Sequence, residues 1–470
     1  MHDRGTPLQL SFDQGTLRLD GAGERDADVV RETGPWVWDA RVEAFRCDAI
    51  HYAAARQALA TRFAPRLEDA VPAPRRVTWG AVSLPALRRE QQAALDAWRD
   101  AGGRGQIIMP TGTGKTVIGL AALRATSIAT LVVAPVRDLM YQWHRRILRG
   151  LSCDAGILGD SRHDVRPVTV TTYDSAYIHM PALGADFGLV VFDEEHHLPG
   201  RCRREAALAC AAPLRLGLTA TPERADGLEA DLDRLVGPVV YRQEIPHARG
   251  RTLADYDVVR IPVALSDAEQ ARYDRCGQVL RAFMADRRKE QPKYGWQDLC
   301  AESGTDPEAR RAQKAYYARK AVEDRAGEKL RVLEDLFRLH AGERIIVFAG
   351  SNAMALDVSR RFLVPTLLSH SRKRERLAVL EGFAEGRFPV IVANRVLDEG
   401  VDVPAAKVAV VIGGQSSTRQ AKQRLGRVLR RTGAARATLY EVVCEETGEE
   451  ERSRRRRRSD AYERTRHRRL

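Results

Sequence analysis

Six consecutive residues, Thr111-Gly112-Thr113-Gly114-Lys115-Thr116, have the types and order needed to hold a chain of phosphates. Gly112 and Gly114 let the backbone turn tightly enough for successive N–H groups to point at one anion. A helix starting near Lys115 adds the positive end of its dipole. Lys115 can then reach the β and γ phosphates, and the Thr116 hydroxyl can hold Mg²⁺. Thr111 and Thr113 fill out the cradle. The order matches the P-loop pattern, except that Met109 stands at its first glycine position. ATP and Mg²⁺ are the cofactors expected.

A second group of residues could act on what the first holds. Leu189-Val190-Val191-Phe192 runs straight into Asp193-Glu194-Glu195-His196. A buried parallel strand delivers such carboxylates at its C-terminal edge, where ligands bind in open α/β sheets. Asp193 is placed to hold Mg²⁺, directly or through water, and Glu194 to orient and deprotonate an attacking water. Leu218-Thr219-Ala220-Thr221-Pro222 offers two hydroxyls at alternate positions, which taken alone is a common strand end. Further on, Gln423-Arg424-Leu425-Gly426-Arg427-Val428-Leu429-Arg430 puts Arg427 and Arg430 on one helical face. An arginine reaching a phosphate from a second domain neutralises charge in the transition state. A solvated basic helix is the plain alternative.

These residues need a scaffold, and the apolar pattern supplies one. Ile107-Ile108-Met109 reads as a buried strand, and 117–123 has the apolar character of a helix. From about 84 to 241 strands alternate with helices, the strands at 106–109, 130–134, 168–171, 189–193 and 214–219. That rhythm argues for a parallel sheet covered on both faces. Residues 1–80 read as a small α+β accessory domain. It has alternating segments at 8–12 and 16–19, turn signals at Asp13-Gln14-Gly15 and Asp20-Gly21, a helix over 49–63 and a linker at Val71-Pro72-Ala73-Pro74. Residues 250–326 are rich in charge and read as helical throughout. Ser266 and Glu269 form a capping box there, and Tyr273, Cys276, Leu280 and Phe283 form an apolar stripe suited to packing. The strand–helix rhythm returns at Glu343, with strands at 344–348, 389–393, 407–412 and 438–443 and no second P-loop. The expected division is 1–80 accessory domain, 81–249 first α/β lobe, 250–326 helical insertion, 327–450 second α/β lobe and 451–470 Arg-rich tail.

Composition narrows the class. A chain of 470 residues suffices for two or three domains with proper cores, and 44% hydrophobic content is ordinary for a globular protein. No apolar run reaches membrane-spanning length, and the N-terminal residues lack the apolar core of a signal peptide, so a cytoplasmic location is expected. The seven cysteines are scattered with no CxxC pair, which suggests free thiols and neither zinc nor iron–sulfur. Net charge is +13, and ten arginines against Asp460 and Glu463 give 452–470 a local +8. Such a tail is disordered or a solvated helix and suits a polyanion.

Taken in order, these segments resemble the motifs of a superfamily 2 helicase or translocase, and within it the XPB family. The resemblance spans 87–431. LRREQ, with Gln91, looks like the adenine-sensing motif, and MPTGTGKT is the first motif in a variant seen in helicase-type P-loops. VVAPVRDLMYQW (132–143, with Arg137 and Gln142) and VTVTTYDSAY (168–177, with Thr172) resemble the next motifs, the latter DNA-contacting. DEEH, LTATP and IIVFAGS follow. VLDEGVDVP (396–404) looks like the fifth motif, and QRLGRVLR is the sixth. The resemblance implies two RecA-like parallel-sheet lobes with a small N-terminal α+β domain and a helical, thumb-like insertion. ATP would be bound between the lobes, Arg427 and Arg430 would serve as arginine fingers, Gly400 and Asp402 would lie near the nucleotide or the strand, and Gln423 near the nucleotide. It further implies 3′-to-5′ movement on DNA, a damage-recognition-like N-terminal unit with Trp38-Asp39 and Tyr52, a monomer, and a nuclease as partner in some members.

One departure bears on activity. The family carries an Arg-Glu-Asp triplet after LTATP, implicated in separating strands, and Arg224-Ala225-Asp226 stands there instead. A DNA helicase acting in repair or duplex opening is the leading expectation. A duplex translocase without strand separation, of RadD-like or restriction-enzyme type, is the alternative. A DEAD-box RNA helicase fits less well, because the second motif is DEEH and Gln423 replaces the histidine that opens that family's sixth motif. A non-catalytic clamp would not need every catalytic position filled. Grip on the nucleic acid is expected to be sequence-nonspecific and salt-sensitive.

Overall fold

Strict alternation builds the first element: Leu8, Leu10, Leu17 and Leu19 are all fully buried, while Gln9 and Arg18 between them are not. These leucines lie on β1 (Leu8–Asp13) and β2 (Thr16–Asp20), which pair antiparallel with Leu10 opposite Leu19. Gln14 and Gly15 between them both have positive φ, the geometry of a tight primed hairpin turn. β3 (Val37–Asp39), β4 (Ala44–Asp48) and β5 (Leu67–Asp69) complete a sheet of order β3-β4-β2-β1-β5. The helix Tyr52–Phe63 buries Ala55, Leu59 and Phe63 in the same core.

The computed structural model describes residues 7–224, 226–244, 256–368, 370–394, 406–413, 437–457 and 467–469. The chain forms two units, Met1–Glu244 and Ile245–Leu470. The first contains the small sheet and a second one made of β6 (Arg104–Ile108), β7 (Thr130–Ala134), β8 (Ala155–Gly159), β9 (Arg162–His163), β10 (Val168–Thr172), β11 (Leu189–Asp193), β12 (Leu214–Thr219) and β13 (Val239–Arg242). Its order is β13-β6-β12-β11-β7-β10-β8-β9, parallel throughout except where β9 turns back on β8. All five residues of β7 and of β11 are buried, as strands covered on both faces require.

The second unit holds β14 (Tyr256–Val263), β15 (Ile345–Phe348), β16 (Thr366–Leu367), β17 (Val390–Ala393), β18 (Val408–Val411), β19 (Ala437–Cys444) and β20 (His467–Arg469). They form one parallel sheet in the order β16-β17-β15-β18-β19-β14-β20. Here the sequence expectation needs correcting. Residues 256–263, assigned to an all-helical insertion, are a strand inside the second sheet. The β-branched run Val258, Val259, Ile261, Val263 drives this, and Val258, Val259 and Val263 are buried.

The helices that follow β14 begin with Asp267–Glu290, capped as expected: Ser266 N donates to Glu269 Oε2 at 2.9 Å and Glu269 N to Ser266 Oγ at 3.4 Å. Trp296–Glu302, Pro307–Asp324 and Gly327–Leu339 come next. Ala309 and Ala312, fully buried, let the Pro307–Asp324 helix pack closely on its neighbours. The Arg-rich segment is also less detached than a tail would be over its described part. Helix Gly448–Arg457 presents its first backbone N–H, Gly448 N, to Tyr273 Oη at 2.9 Å and Glu323 Oε1 at 3.1 Å. Arg452 pairs with Glu323, and Ser453 is buried against Glu441. No helix among the described residues is long and apolar enough to cross a membrane.

Candidate nucleotide site

The loop from β6 into the helix Lys115–Thr126 has Gly112 at φ +87° and Gly114 at φ +84°, a conformation in which a side chain is strained. Its own side chains hold it shut. Thr113 Oγ1 donates to Pro110 O at 2.7 Å, and the buried Lys115 Nζ donates to Met109 O at 3.0 Å. Gln91 reaches the loop from the preceding helix, Arg89–Asp100. Its Nε2 donates to Thr113 O at 2.8 Å, and its Oε1 accepts from Arg88 N at 2.9 Å. Gln91 therefore braces the loop backbone. Thr111 Oγ1 is buried without a hydrogen-bond partner. An orphaned hydroxyl in a glycine-turned loop at a helix start fits a phosphate chain.

β12 lies between β6 and β11, so the ends of these three strands bring the loop, Asp193 and Thr219 to one edge. Met109 N donates to Thr219 O at 2.9 Å across that edge. Asp193 is buried, and its Oδ2 accepts from Trp143 Nε1 at 2.7 Å. Burial and the neighbouring Glu194 charge push the Asp193 carboxyl up to about 6, against the pull of the Trp143 N–H and Lys115. A buried carboxyl in that state is suited to a divalent cation, which would favour its charged form. The adjacent Glu195 is fully buried with both carboxyl oxygens unpartnered, and burial drives its pKa well above the ordinary value.

Glu194 sits in the left-handed region at φ +50°, ψ +55°, unusual for a residue with a side chain. Its Oε2 lies 3.4 Å from Thr219 Oγ1 and 3.5 Å from His196 Nδ1. Thr219 Oγ1 is itself 2.9 Å from His196 Nδ1 and accepts from Thr221 N at 3.1 Å. Thr219, at what reads as an ordinary strand end, is thus tied to the candidate base, while the Thr221 hydroxyl is buried without a hydrogen-bond partner.

Trp143, the last residue of the VVAPVRDLMYQW segment, touches the candidate metal ligand, a contact the motif does not announce. Gly119 makes room for it: a Cβ there would come within 2.5 Å of the Trp143 ring. Trp143→Phe should keep the packing and free Asp193 Oδ2. The expected result is an intact fold by circular dichroism and a several-fold higher Mg²⁺ requirement for ATP turnover. An unchanged Mg²⁺ titration would mean the indole N–H does not position the carboxylate.

Residues 84–224 match the family described as type III restriction enzyme, res subunit, and 328–432 match the helicase conserved C-terminal domain. Residues 10–70 match the xeroderma pigmentosum group B helicase damage recognition domain. The chain is 40% identical over 372 residues to the DNA 3′-5′ translocase XPB2 of Sulfurisphaera tokodaii, covering 79% of this chain and 84% of that protein. The chain belongs to the XPB family. It is also 31% identical to the DNA 3′-5′ helicase XPB of Kineococcus radiotolerans, over 78% of this chain, and spans 61% of that longer protein. The Hef helicase domain of Pyrococcus furiosus shares the fold, with a TM-score of 0.53 at 18% identity, covering 78% of this chain and 97% of that one.

The remaining XPB-motif residues fall in different places. Arg137 is exposed and pairs with Asp160 at 2.8 Å. Gln142 is half-buried on the same helix, Arg137–Leu151. Thr172 caps the helix Tyr173–Leu183, its Oγ1 accepting from Ser175 N at 3.3 Å. Arg224 is clasped by Asp226, with Nε to Oδ1 at 2.8 Å, and its Nη1 also donates to the carbonyl of His196. Ala225, Gly400, Asp402, Gln423, Arg427 and Arg430 lie outside the described residues.

Proposed function

We propose that this XPB-family chain hydrolyses ATP to drive 3′-to-5′ movement on DNA, in repair or in duplex opening. The observation that carries the reading is the meeting of the phosphate loop, Asp193 and Glu194 at the edge of three adjacent strands. Loop amides and Lys115 would bind the phosphates. Mg²⁺ held by Thr116 and Asp193 would supply charge neutralisation on the phosphate oxygens. Glu194, with its carboxylate steadied beside Thr219 and His196, would orient the attacking water and take its proton. Arg427 and Arg430 enter this proposal only through the motif they match.

A specific observation favours the translocase form of the reading over strand separation. Arg224 of the altered triplet is engaged with Asp226 and with the backbone of the DEEH segment. That engagement suits a link between the hydrolysis loop and the gripped strand. A guanidinium held in this way is poorly placed to act as a wedge. Partners beyond DNA, among them a nuclease, and a monomeric, cytoplasmic state belong to the proposal as well.

The test is the rate of phosphate release with no nucleic acid, single-stranded DNA, duplex DNA and RNA. Stimulation by DNA, and by duplex in particular, is the expected result. Stimulation by RNA alone would overturn the DNA assignment.

A further inference from the structure

The helices after β14 have a small core of Tyr294, Leu299, Ala309 and Ala312, with Leu280, Phe283 and Met284 packed against it. Three other aromatic rings lie outside that core and cluster together. Trp296 opens the Trp296–Glu302 helix, and Tyr316 and Tyr317 lie on the Pro307–Asp324 helix. Ring centroids are 4.1 Å apart for Trp296 and Tyr316, 5.9 Å for Trp296 and Tyr317, and 5.5 Å for the two tyrosines. Trp296 is 39% and Tyr317 56% exposed. Contiguous apolar rings exposed at a surface are a feature of interaction sites.

The charges around the cluster select the occupant. Lys314 lies one turn before Tyr317 on the same helical face, and Arg311 one turn before Lys314. Both are exposed, and neither forms an ion pair among the described residues. On its other side Tyr317 borders a cavity of about 270 Å³ with Lys320, Arg325 and Ser351 on its wall. Asp324, Glu449 and Arg452 also line it, so its wall carries both signs of charge, with donors and acceptors for a sugar or base edge. Duplex DNA hides its base faces, whereas a single strand offers both faces and backbone charge. Aromatic faces beside unpaired cations are the chemistry that single strands use.

We propose that Trp296, Tyr316 and Tyr317 form a stacking platform for unpaired bases of single-stranded DNA, with Arg311 and Lys314 neutralising the adjoining phosphates. The proposal rests on the reading of the chain as a DNA-acting protein, and the strand it takes is one already unpaired, as at a tail or a bubble, so it requires no strand separation by this chain.

The experiment measures anisotropy of labelled oligonucleotides with the full chain. A dT strand, an abasic strand of equal length and a duplex are compared. The double variant Trp296→Leu/Tyr317→Ala should weaken dT binding about 10- to 100-fold and leave the abasic strand and duplex within about twofold. Tyr317→Phe, which keeps a ring, should bind dT as the wild type does. Arg311→Gln/Lys314→Gln should weaken dT and abasic strands alike and flatten their salt dependence. Equal losses on dT and abasic strands, or no loss on either, would overturn the platform. A wild-type chain that binds none of the three DNAs would instead remove the DNA reading itself.

Discussion

Glu194→Gln is expected to lower ATP turnover by about 10²–10⁴-fold, the range general-base catalysis contributes, while ATP binding stays within a few-fold of wild type. The amide is close in size to the carboxylate and can keep the 3.4 Å approach to Thr219 Oγ1, so the left-handed turn at Glu194 has no reason to change. It cannot accept the proton of an attacking water. None of the phosphate-binding groups is altered, because the loop is held by its own bonds through Thr113, Lys115 and Gln91. Phosphate release and equilibrium binding of a fluorescent ATP analogue separate the two effects. Undiminished hydrolysis would remove Glu194 from the role of base.

Parts of this site were legible in the sequence because the chemistry there is local. A glycine-turned loop between a strand and a helix, and an acidic pair ending an apolar strand, carry their meaning within ten residues of chain. β7 and β11 were readable for the same reason, each being an apolar run with turn signals at its ends. What could not be read depends on groups far apart in the chain. The Trp143–Asp193 bond spans fifty residues, and the tie from Arg224 to His196 depends on how the chain folds after β12. β8 was missed because Gly156 and Gly159 weaken a strand signal. The structure needs Gly156, since a Cβ there would fall 2.2 Å from the Asp164 carbonyl. β14 was missed because its valines follow a charged stretch and precede a long helix, so the window was dominated by its neighbours.

The second large effect is on stability. Lys329 and Glu449 are almost wholly buried, with Nζ 2.8 and 3.0 Å from the two carboxylate oxygens and 3.2 Å from Ile412 O. Glu449 also accepts from Cys444 N at 3.0 Å. Lys329→Met would leave that carboxylate buried without its cation. Loss of about 3–5 kcal/mol is expected in urea unfolding of the full chain. Lys329→Met/Glu449→Leu should recover most of it, since replacing both charges by apolar groups is often neutral.

The pair also fixes a pH dependence. Burial pushes the Glu449 carboxyl up, but the facing Lys329 charge, the hydrogen bonds from Cys444 N and Lys329 and the nearby Arg452 charge together reverse this and leave it below the ordinary value. Burial likewise pulls Lys329 down, and the charge and hydrogen bond of Glu449 with the nearby Cys444 and Asp324 together reverse it, leaving the lysine raised. A lowered carboxyl contributes stability above its unfolded pKa of 4.5 and loses it as pH falls through the folded value. A raised lysine keeps its contribution until pH climbs past 10.5. The stability gap between wild type and Lys329→Met should therefore be widest at mildly alkaline pH, narrow as pH falls and the unpaired, buried Glu449 of the variant takes up a proton, and narrow again as pH climbs past 10.5 and the wild-type lysine loses its charge. A gap independent of pH would mean packing, and not charge, sets the loss.

Movement driven by ATP is the central claim, and displacement of a third strand from a duplex measures it without requiring the duplex to open. The wild-type chain should displace the third strand in the presence of ATP and Mg²⁺, and Lys115→Ala, lacking the phosphate-binding amine, should not. ATP hydrolysis by the wild type with the third strand left in place would contradict the account.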